Sequence, residues 1–378
     1  MKIAVDVSIQ ETAAITGVER VQRSLLKAIA KVDRSNEYLL IGQRGLPDLG
    51  FDLPHNFQRV VAVKEGSPYL WRERFVPQLL STHKIDVFHS PVSATPVLGK
   101  ARKIATLHEL PWLERGFDKS NADVNRLGHR TWLVLNVRYA SKIVAVSERT
   151  RANILQLHPE AADRVVVIHH GVDAKFRPLK ERPLRAEFLA RLGIPDRPFL
   201  LFVGTLRRKK NLRSLLRVFA ELREPLRSSV VLVLVGIRNP NWPEFEELLR
   251  LPALQDRVFL PGYVSDEDLI VLYNLAAATI YPSLYEGFGL PPLEAMACGS
   301  PVLASTGGAI PEVVGDAALS FPADEPARMR DAITAVLKDK GLAQELRDKG
   351  FKHASKFTWE KAAEHYLQLY RELETPAT

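Results

Sequence analysis

Two glutamates, Glu286 and Glu294, lie eight positions apart in the segment 285–294, which reads YEGFGLPPLE. Carboxylates accept hydrogen bonds from hydroxyl groups, so such a pair is a candidate site for a ligand that carries hydroxyls. Gly287 and Gly289 stand between them, and a backbone without side chains can approach a ligand closely. The glycines therefore favour a ligand-binding loop over the alternative, a solvated helix face.

Pro291 and Pro292 mark the start of a helix, because the first helical turn does not need the N–H groups that proline lacks. We expect this helix over residues 290–298, with its free amides directed back toward the glycine loop. Unpaired N–H groups and the helix dipole both favour negative charge at such an end. A phosphate at this end would have the carboxylates of Glu286 and Glu294 on either side. The pattern therefore predicts a ligand with both phosphate and hydroxyl groups, such as a nucleotide sugar.

A second candidate phosphate site follows the apolar run 199–203. Gly204 ends this run, and the four consecutive cations of residues 207–210 (RRKK) precede the next helical stretch. Neighbouring cations repel one another, so their clustering indicates an anionic counterpart, although a solvated turn is the alternative. A glycine at a strand end, a cationic turn and a helix start together predict a diphosphate-binding element.

These elements belong to a pattern in which short apolar runs alternate with amphipathic stretches of helical length, which favours parallel sheets built from βαβ units. The predicted strands cover 3–7, 38–41, 60–63, 87–89, 103–107, 142–146 and 165–168 in the first half, and 199–203, 230–235, 258–260, 279–281, 302–304 and 318–321 in the second. A charged, proline-containing segment, 176–183, separates the halves. We therefore expect domains over 1–176 and 184–357, with a final helix, 358–373, that has its apolar side on Trp359, Ala362, Ala363, Tyr366, Leu369 and Tyr370.

The composition fits a globular protein of more than one domain. The chain has 378 residues, 46% of them hydrophobic, and no apolar run approaches the ~20 residues that a membrane span needs. Its N-terminus reads as a strand rather than a signal peptide. The one cysteine, Cys298, excludes an intrachain disulfide and a cysteine metal cluster, so we expect a cytoplasmic protein.

The formal charge of +8 is partly located on the first predicted helix, 18–32. Cations recur there at helical spacing, opposite an apolar stripe of Val21, Leu25, Ala28, Ile29 and Val32; the cations are Arg20, Arg23, Lys27, Lys31 and Arg34. Such a stripe is most often solvated. An anionic membrane surface is the sharper hypothesis, with about 1 kcal/mol for each cation. No nucleic-acid-binding motif accompanies the charge.

The motifs around Glu286 resemble the retaining GT-B glycosyltransferases, in particular family 4. Glu286 and Glu294 match the E-x7-E pattern of that family, and the resemblance runs almost continuously from 258 to 322 through the segments 262–265 (GYVS), 281–283 (YPS), 296–302 (MACGSPV) and 310–316 (IPEVVGD). The resemblance implies two Rossmann-like, doubly wound domains that face a cleft, with the last helix crossing back to the N-terminal domain. It also implies retaining transfer of a hexose from a nucleoside diphosphate to a saccharide or lipid-linked acceptor. Mannose from a GDP-sugar is the favoured donor, as in bacterial surface polysaccharide synthesis, and UDP-sugars remain open.

By the same resemblance, Glu294 should bind the ribose and Glu286 the transferred sugar. Contacts with the sugar and the distal phosphate fall on the loop and helix start, at Gly287, Phe288, Gly289 and Leu290. Lys210 stands at the family's phosphate-binding lysine. Thr205 replaces the usual arginine, and Lys209 is the nearest substitute for its charge.

The remaining implied contacts are less specific. Tyr263 and Val264 lie where the family contacts the base, largely through the main chain. On the acceptor side, His108 stands where the family has a histidine that approaches the donor sugar, followed by Glu109 in place of the usual aspartate. Gly17, in the segment 16–20, is the one glycine kept from the family's acceptor loop. The aromatic segment 69–75 is a candidate for contact with the acceptor or a membrane, although packing is the favoured explanation.

The sequence 266–268 (DED) resembles the metal-binding motif of other transferases. Ser265 precedes it, however, and Ser265 with Asp268 fits a helix cap, so no metal is expected. Two other functions remain as alternatives: a sugar-nucleotide epimerase of the same architecture, and a non-catalytic sugar-nucleotide-binding partner of a glycan assembly complex.

Overall fold

The structure, a computed structural model, describes residues 1–8, 17–43, 48–61, 71–91, 95–113, 126–181, 184–238 and 242–374. Thr16 of the predicted acceptor loop and residues 69 and 70 of the aromatic segment lie outside these ranges. The described residues form two compact units. The first contains those up to 112, those from 126 to 171 and those from 358 to 374, and the second contains residue 113 and those from 172 to 357.

The first unit is built on a parallel sheet of seven strands in the order β3-β2-β1-β4-β5-β6-β7. The strands are β1 Lys2–Asp6, β2 Glu37–Gly42, β3 Phe57–Val61, β4 Val87–Ser90, β5 Arg102–Leu107, β6 Lys142–Ala145 and β7 Val165–Val167. The described helices that connect them are α1 Gly17–Val32, α2 Val76–Thr82, α3 Arg126–Tyr139 and α4 Glu148–Leu157, with a π-helical turn, Trp71–Phe75, before α2. Trp71 is buried in the core with Val76 and Phe88, so packing explains this part of the aromatic segment.

The second unit contains a parallel sheet of six strands in the order β10-β9-β8-β11-β12-β13. The strands are β8 Phe199–Val203, β9 Val231–Val235, β10 Val258–Gly262, β11 Ala278–Tyr281, β12 Val302–Ser305 and β13 Leu319–Phe321. Its helices are α5 Arg185–Arg191, α6 Leu212–Ala220, α7 Leu226–Ser229, α8 Pro243–Leu249, α9 Asp266–Leu275, α10 Leu290–Ala297, α11 Ile310–Val314, α12 Pro326–Lys338 and α13 Lys340–Ala354. Strands such as β9 (VLVLV) are apolar and buried throughout, as expected of parallel strands covered on both faces.

The predicted fold class is therefore confirmed: two Rossmann-like parallel sheets account for all the predicted strands. The order of each sheet reverses beside its first strand, between β1 and β4 and between β8 and β11. Ligands of such sheets bind at the carboxyl ends of the strands near this reversal. The ends of β8 and β11 lead to the cationic turn and to the Glu286 loop.

The last helix, α14 (Trp359–Glu374), returns to the first unit, and all six residues of its predicted apolar side are buried. Tyr370 and Tyr366 place their hydroxyls 2.8 Å from His89 Nδ1 and 3.1 Å from Thr106 Oγ1, respectively. Glycine is required at 171, because a Cβ there would lie 2.1 Å from the backbone nitrogen of Trp359.

The apolar stripe of α1 ends earlier than predicted. Val21, Leu25, Ala28 and Ile29 are buried, whereas Val32, the last residue of the helix, is 39% exposed. On the basic side, Lys31 forms an ion pair with Glu360 of α14 at 2.9 Å, so part of the charge is matched within the protein. Among the described residues, no helix is long and apolar enough to cross a bilayer.

Candidate functional site

The cationic turn directs Lys210 inward. A short 3-10 turn, Arg208–Lys210, follows β8, and Asn211 then adopts a left-handed conformation (φ 56°) that starts α6. Asparagine tolerates this conformation better than most residues, and its side-chain amide donates a hydrogen bond to the Ala323 carbonyl at 2.8 Å. Lys210 is 7% exposed, whereas Arg207 and Arg208 are exposed. The turn therefore separates one buried ammonium from two cations in solvent.

Lys210 and Glu286 form a buried ion pair. The Lys210 ammonium donates to Glu286 Oε1 at 2.6 Å, and each side chain is 9% exposed. Lys209 lies on the other carboxylate oxygen, with its Nζ 3.9 Å from Glu286 Oε2 and 5.2 Å from the centre of the Tyr285 ring. The structure thus brings three of the predicted site residues into direct contact.

The loop that carries Glu286 is held by two glycines after β12. A Cβ at Gly308 (φ +61°) would lie 2.4 Å from the Glu286 carbonyl oxygen, and one at Gly307 would lie 2.3 Å from the Leu284 oxygen. The Glu286 carbonyl also accepts a hydrogen bond from the Ala309 amide at 2.9 Å. The position of Glu286 therefore depends on residues that follow it by more than twenty positions.

The charges of this cluster fix the ionisation of Glu286. Burial by itself would raise the pKa of the Glu286 carboxyl, but the ammonium groups of Lys210 and Lys209 outweigh it and hold that pKa below its ordinary value. Glu286 is thus a carboxylate at neutral pH, with two cations beside it.

The predicted helix starts one residue after Gly289, which is left-handed (φ +115°), and runs as α10 from Leu290 to Ala297. A Cβ at Gly289 would lie 3.8 Å from the Tyr281 ring, so the helix start adjoins the residue that contacts Lys210. Glu294, in the second turn of α10, is 4% exposed, and its Oε2 accepts a hydrogen bond from Tyr273 at 3.2 Å. The helix start beside Tyr281 and a buried carboxylate are thus carried on one helix.

The other predicted residues have different surroundings. Tyr263, just after β10, is 49% exposed, whereas the side chain of the next residue, Val264, is buried. Gly17 is the first residue of α1 and is exposed, so it begins a helix rather than lying within a loop.

His108 follows β5 in the first unit. Its Nε2 lies 2.7 Å from the Pro91 carbonyl, which makes Nε2 the protonated nitrogen and leaves Nδ1 as an acceptor. Burial lowers the pKa of His108, so the ring is neutral at pH 7. His170 packs beside it, with ring centres 5.5 Å apart, and the ring of Trp359 covers His170 at 5.6 Å.

Sequence reasoning missed several residues that contact the predicted site residues. Tyr281 and Tyr273 contact Lys210 and Glu294, respectively, and His170 packs on His108. Tyr281 was recognised only as part of the segment YPS. The signal that could have found it is a tyrosine at the end of a buried strand, since a buried hydroxyl needs a polar partner.

The comparisons with known proteins match both halves of the chain. Residues 185–353 match the family model of glycosyl transferases group 1, and residues 15–176 match that of Glycosyltransferase Family 4. A D-inositol 3-phosphate glycosyltransferase from Frankia alni is 31% identical over 314 residues, which cover 77% of this chain and 75% of that protein.

Two relatives from Escherichia coli are similar over a shorter part of their length. The O-antigen chain mannosyltransferase B is 32% identical over 232 residues, 61% of each chain. A serotype-specific mannosyltransferase, WbdA, is 31% identical over 229 residues, 59% of this chain but 28% of its own length. The matched region thus spans less than two thirds of these relatives.

Solved structures show the same fold at low identity. HepE from Anabaena, in complex with UDP-glucose, superimposes with a TM-score of 0.76 at 17% identity and covers 98% of this chain and 100% of its own. Sucrose-phosphate synthase from Thermosynechococcus elongatus gives 0.74 at 22% identity, over 100% of both chains.

Proposed function

The chain belongs to glycosyltransferase family 4, and from this membership we propose that it is a retaining hexosyltransferase that uses a nucleoside diphosphate sugar. The observation that carries the proposal is the buried Lys210–Glu286 pair, with Lys209 on its outer side and the Gly289 start of α10 beside it. Cations and helix amides suit a diphosphate, and carboxylates suit sugar hydroxyls. The acceptor is a saccharide or a lipid-linked glycan.

The proposed mechanism rests on the charge that develops when the diphosphate leaves. Lys210, Lys209 and the backbone amides of Gly289 and Leu290 at the start of α10 would stabilise this negative charge electrostatically. The phosphates replace Glu286 as the partner of the ammonium groups, and Glu286 then accepts hydrogen bonds from the transferred sugar. His108, neutral and with Nδ1 as an acceptor, suits a sugar hydroxyl, and Glu294 suits the ribose.

No metal ion is part of this proposal, and the surroundings of the sequence 266–268 support that. Ser265 accepts a hydrogen bond from the Asp268 amide at 3.2 Å and so caps α9. Asp266 forms an ion pair with Lys175 at 2.5 Å, and Asp268 forms one with Arg191 at 2.5 Å. Both aspartates thus already neutralise cations.

Mannose is the favoured sugar, because two relatives from Escherichia coli are described as mannosyltransferases. UDP-glucose is the second choice, because HepE is described in complex with it.

We also propose a cytoplasmic location, which suits the buried, free Cys298. If α1 contacts an anionic membrane surface, the exposed Lys27 lies on the contacting side. Sedimentation of the protein with phosphatidylserine vesicles tests this contact.

A thermal-shift screen with UDP-, GDP- and ADP-sugars identifies the donor, because a ligand that binds only the native state raises its stability. Transfer with the donor so found should fall at least about tenfold (~1.4 kcal/mol) in Lys210→Ala and in Glu286→Ala. Arg207→Ala is the matched control, since it removes an exposed cation from the same turn.

Three results would contradict the proposal. Near-normal transfer in Lys210→Ala or Glu286→Ala would exclude that residue's role. Conversion of a nucleotide sugar without an acceptor would indicate an epimerase. Binding without transfer or hydrolysis would indicate a non-catalytic partner.

A further inference from the structure

Tyr281 places a phenol hydroxyl inside the charged cluster. It is the last residue of β11 and is 1% exposed. The Lys210 ammonium donates a hydrogen bond to this hydroxyl at 2.9 Å and lies 4.9 Å from the centre of the ring. The hydroxyl therefore joins the Lys210–Glu286 pair as its third member.

The hydrogen-bonding capacity of the three groups fits this arrangement. An ammonium has three N–H donors. The Lys210 ammonium donates one hydrogen bond to Glu286 at 2.6 Å and another to Tyr281 at 2.9 Å. A phenol hydroxyl donates one hydrogen bond while it accepts others. Burial, reinforced by the negative charge of the Glu286 carboxylate, raises the pKa of Tyr281 well above its ordinary value, so the hydroxyl keeps its proton. Tyr281 can thus accept a hydrogen bond from the Lys210 ammonium as a neutral hydroxyl.

The ring of Tyr281 is held on two sides. It is stacked with Phe202 of β8, with ring centres 6.4 Å apart and planes 16° from parallel. The start of α10 lies close by, because a Cβ at Gly289 would be 3.8 Å from the ring. Packing therefore fixes the side chain of Tyr281 against β8, the strand that precedes the cationic turn, and against the start of α10.

We propose that Tyr281 is a positioning residue, whose hydroxyl holds the Lys210 ammonium at the place where the donor diphosphate binds. This inference rests on the proposed function, because it assigns the diphosphate to Lys210. Without the hydroxyl, Lys210 has Glu286 as its remaining partner in the cluster, and the ion pair competes more strongly with the phosphate. Tyr281→Phe removes the hydroxyl and keeps the ring and its stacking on Phe202.

The test is a double-mutant cycle measured by titration calorimetry with UDP and with GDP. Tyr281→Phe should weaken binding of the diphosphate that the wild type prefers by about tenfold, the order expected for a hydrogen bond to a charged group. In a Lys210→Met background, the same substitution should change the affinity by less than about twofold, because there is no ammonium left to position. Equal losses in the two backgrounds would overturn the inference.

A control separates positioning from general destabilisation. Tyr366→Phe removes another buried tyrosine hydroxyl, hydrogen-bonded to Thr106 in the first unit, and should leave the affinity for the diphosphate unchanged. Wild-type affinity in Tyr281→Phe, or the same loss in Tyr366→Phe, would refute the role of Tyr281. If the wild type binds neither UDP nor GDP, and no ADP-sugar stabilises it in the thermal-shift screen, the proposed function itself fails.

Discussion

Replacement of Glu286 by glutamine should destabilise the second unit and, at the same time, tighten the binding of a diphosphate. The substitution leaves the ammonium groups of Lys210 and Lys209 without their shared counter-charge in a largely buried place. Removal of one partner from a buried pair costs about 3–5 kcal/mol. We expect the lower value, about 3 kcal/mol, because Lys210 keeps the Tyr281 hydroxyl as an acceptor. For a unit of residues 172–357, this corresponds to a melting temperature lower by about 6–12 °C.

The effect on binding has the opposite sign. In the wild type the diphosphate must displace Glu286 from both lysines, whereas in Glu286→Gln these cations have no competing carboxylate. The dissociation constant for UDP or GDP should therefore fall at least about tenfold (~1.4 kcal/mol), although transfer is lost. Calorimetric titration measures the affinity and differential scanning fluorimetry the melting temperature, with Lys210→Met as the control that weakens binding. An unchanged melting temperature together with equal or weaker binding would show that the ion pair does not occupy the phosphate site.

Three further outcomes follow from other parts of the molecule. Burial lowers the pKa of His89 to about 3, so the unfolded chain binds the proton of this histidine first as the pH falls. The contribution of His89 to stability should therefore be full above about pH 6.5 and fall by ~1.4 kcal/mol per pH unit between about pH 6.5 and pH 3; a wild-type slope in His89→Gln would contradict this. Gly308→Ala should lower the free energy of unfolding by about 2–4 kcal/mol, because a Cβ would clash with the Glu286 backbone. Gly193→Ala, at φ +67° with open space around it, should lower it by about 1 kcal/mol; equal losses of stability would contradict the steric argument. Asp268→Asn should leave transfer within about twofold of wild type, and transfer should persist in excess chelator; rescue by manganese after chelation would reverse this.

The sequence was informative wherever the cause of a structure is local. Strand β9 is a run of five apolar residues, and α10 begins at its predicted residue because the glycine and two prolines that start it are neighbours in the chain. Ser265 caps α9 as predicted, since its hydroxyl reaches an amide three residues later. Each of these signals lies within one turn of helix or one strand.

The contacts that build the site are not local, and the sequence did not predict them. Lys210 contacts Tyr281, which follows it by 71 positions. Gly308 packs against the backbone of Glu286 so closely that there is no room for a side chain at position 308. Periodicity identifies which residues are buried, but it does not identify which buried residues meet. For the same reason β3 begins three residues before its predicted start, where Phe57 stacks on Tyr38 of β2 at 4.4 Å.

The return of α14 to the first unit affects the order in which the protein can fold during synthesis. His89 and Thr106 leave the ribosome early, yet the tyrosine hydroxyls that complete their hydrogen bonds are among the final residues of the described chain. The second unit, by contrast, is one nearly continuous stretch and can close on itself sooner. Although units commonly fold from the N-terminus onward, here the sheet that is synthesised first belongs to the unit whose folding is completed last. A nascent chain halted before Trp359 would therefore hold an incomplete first unit beside a complete second one.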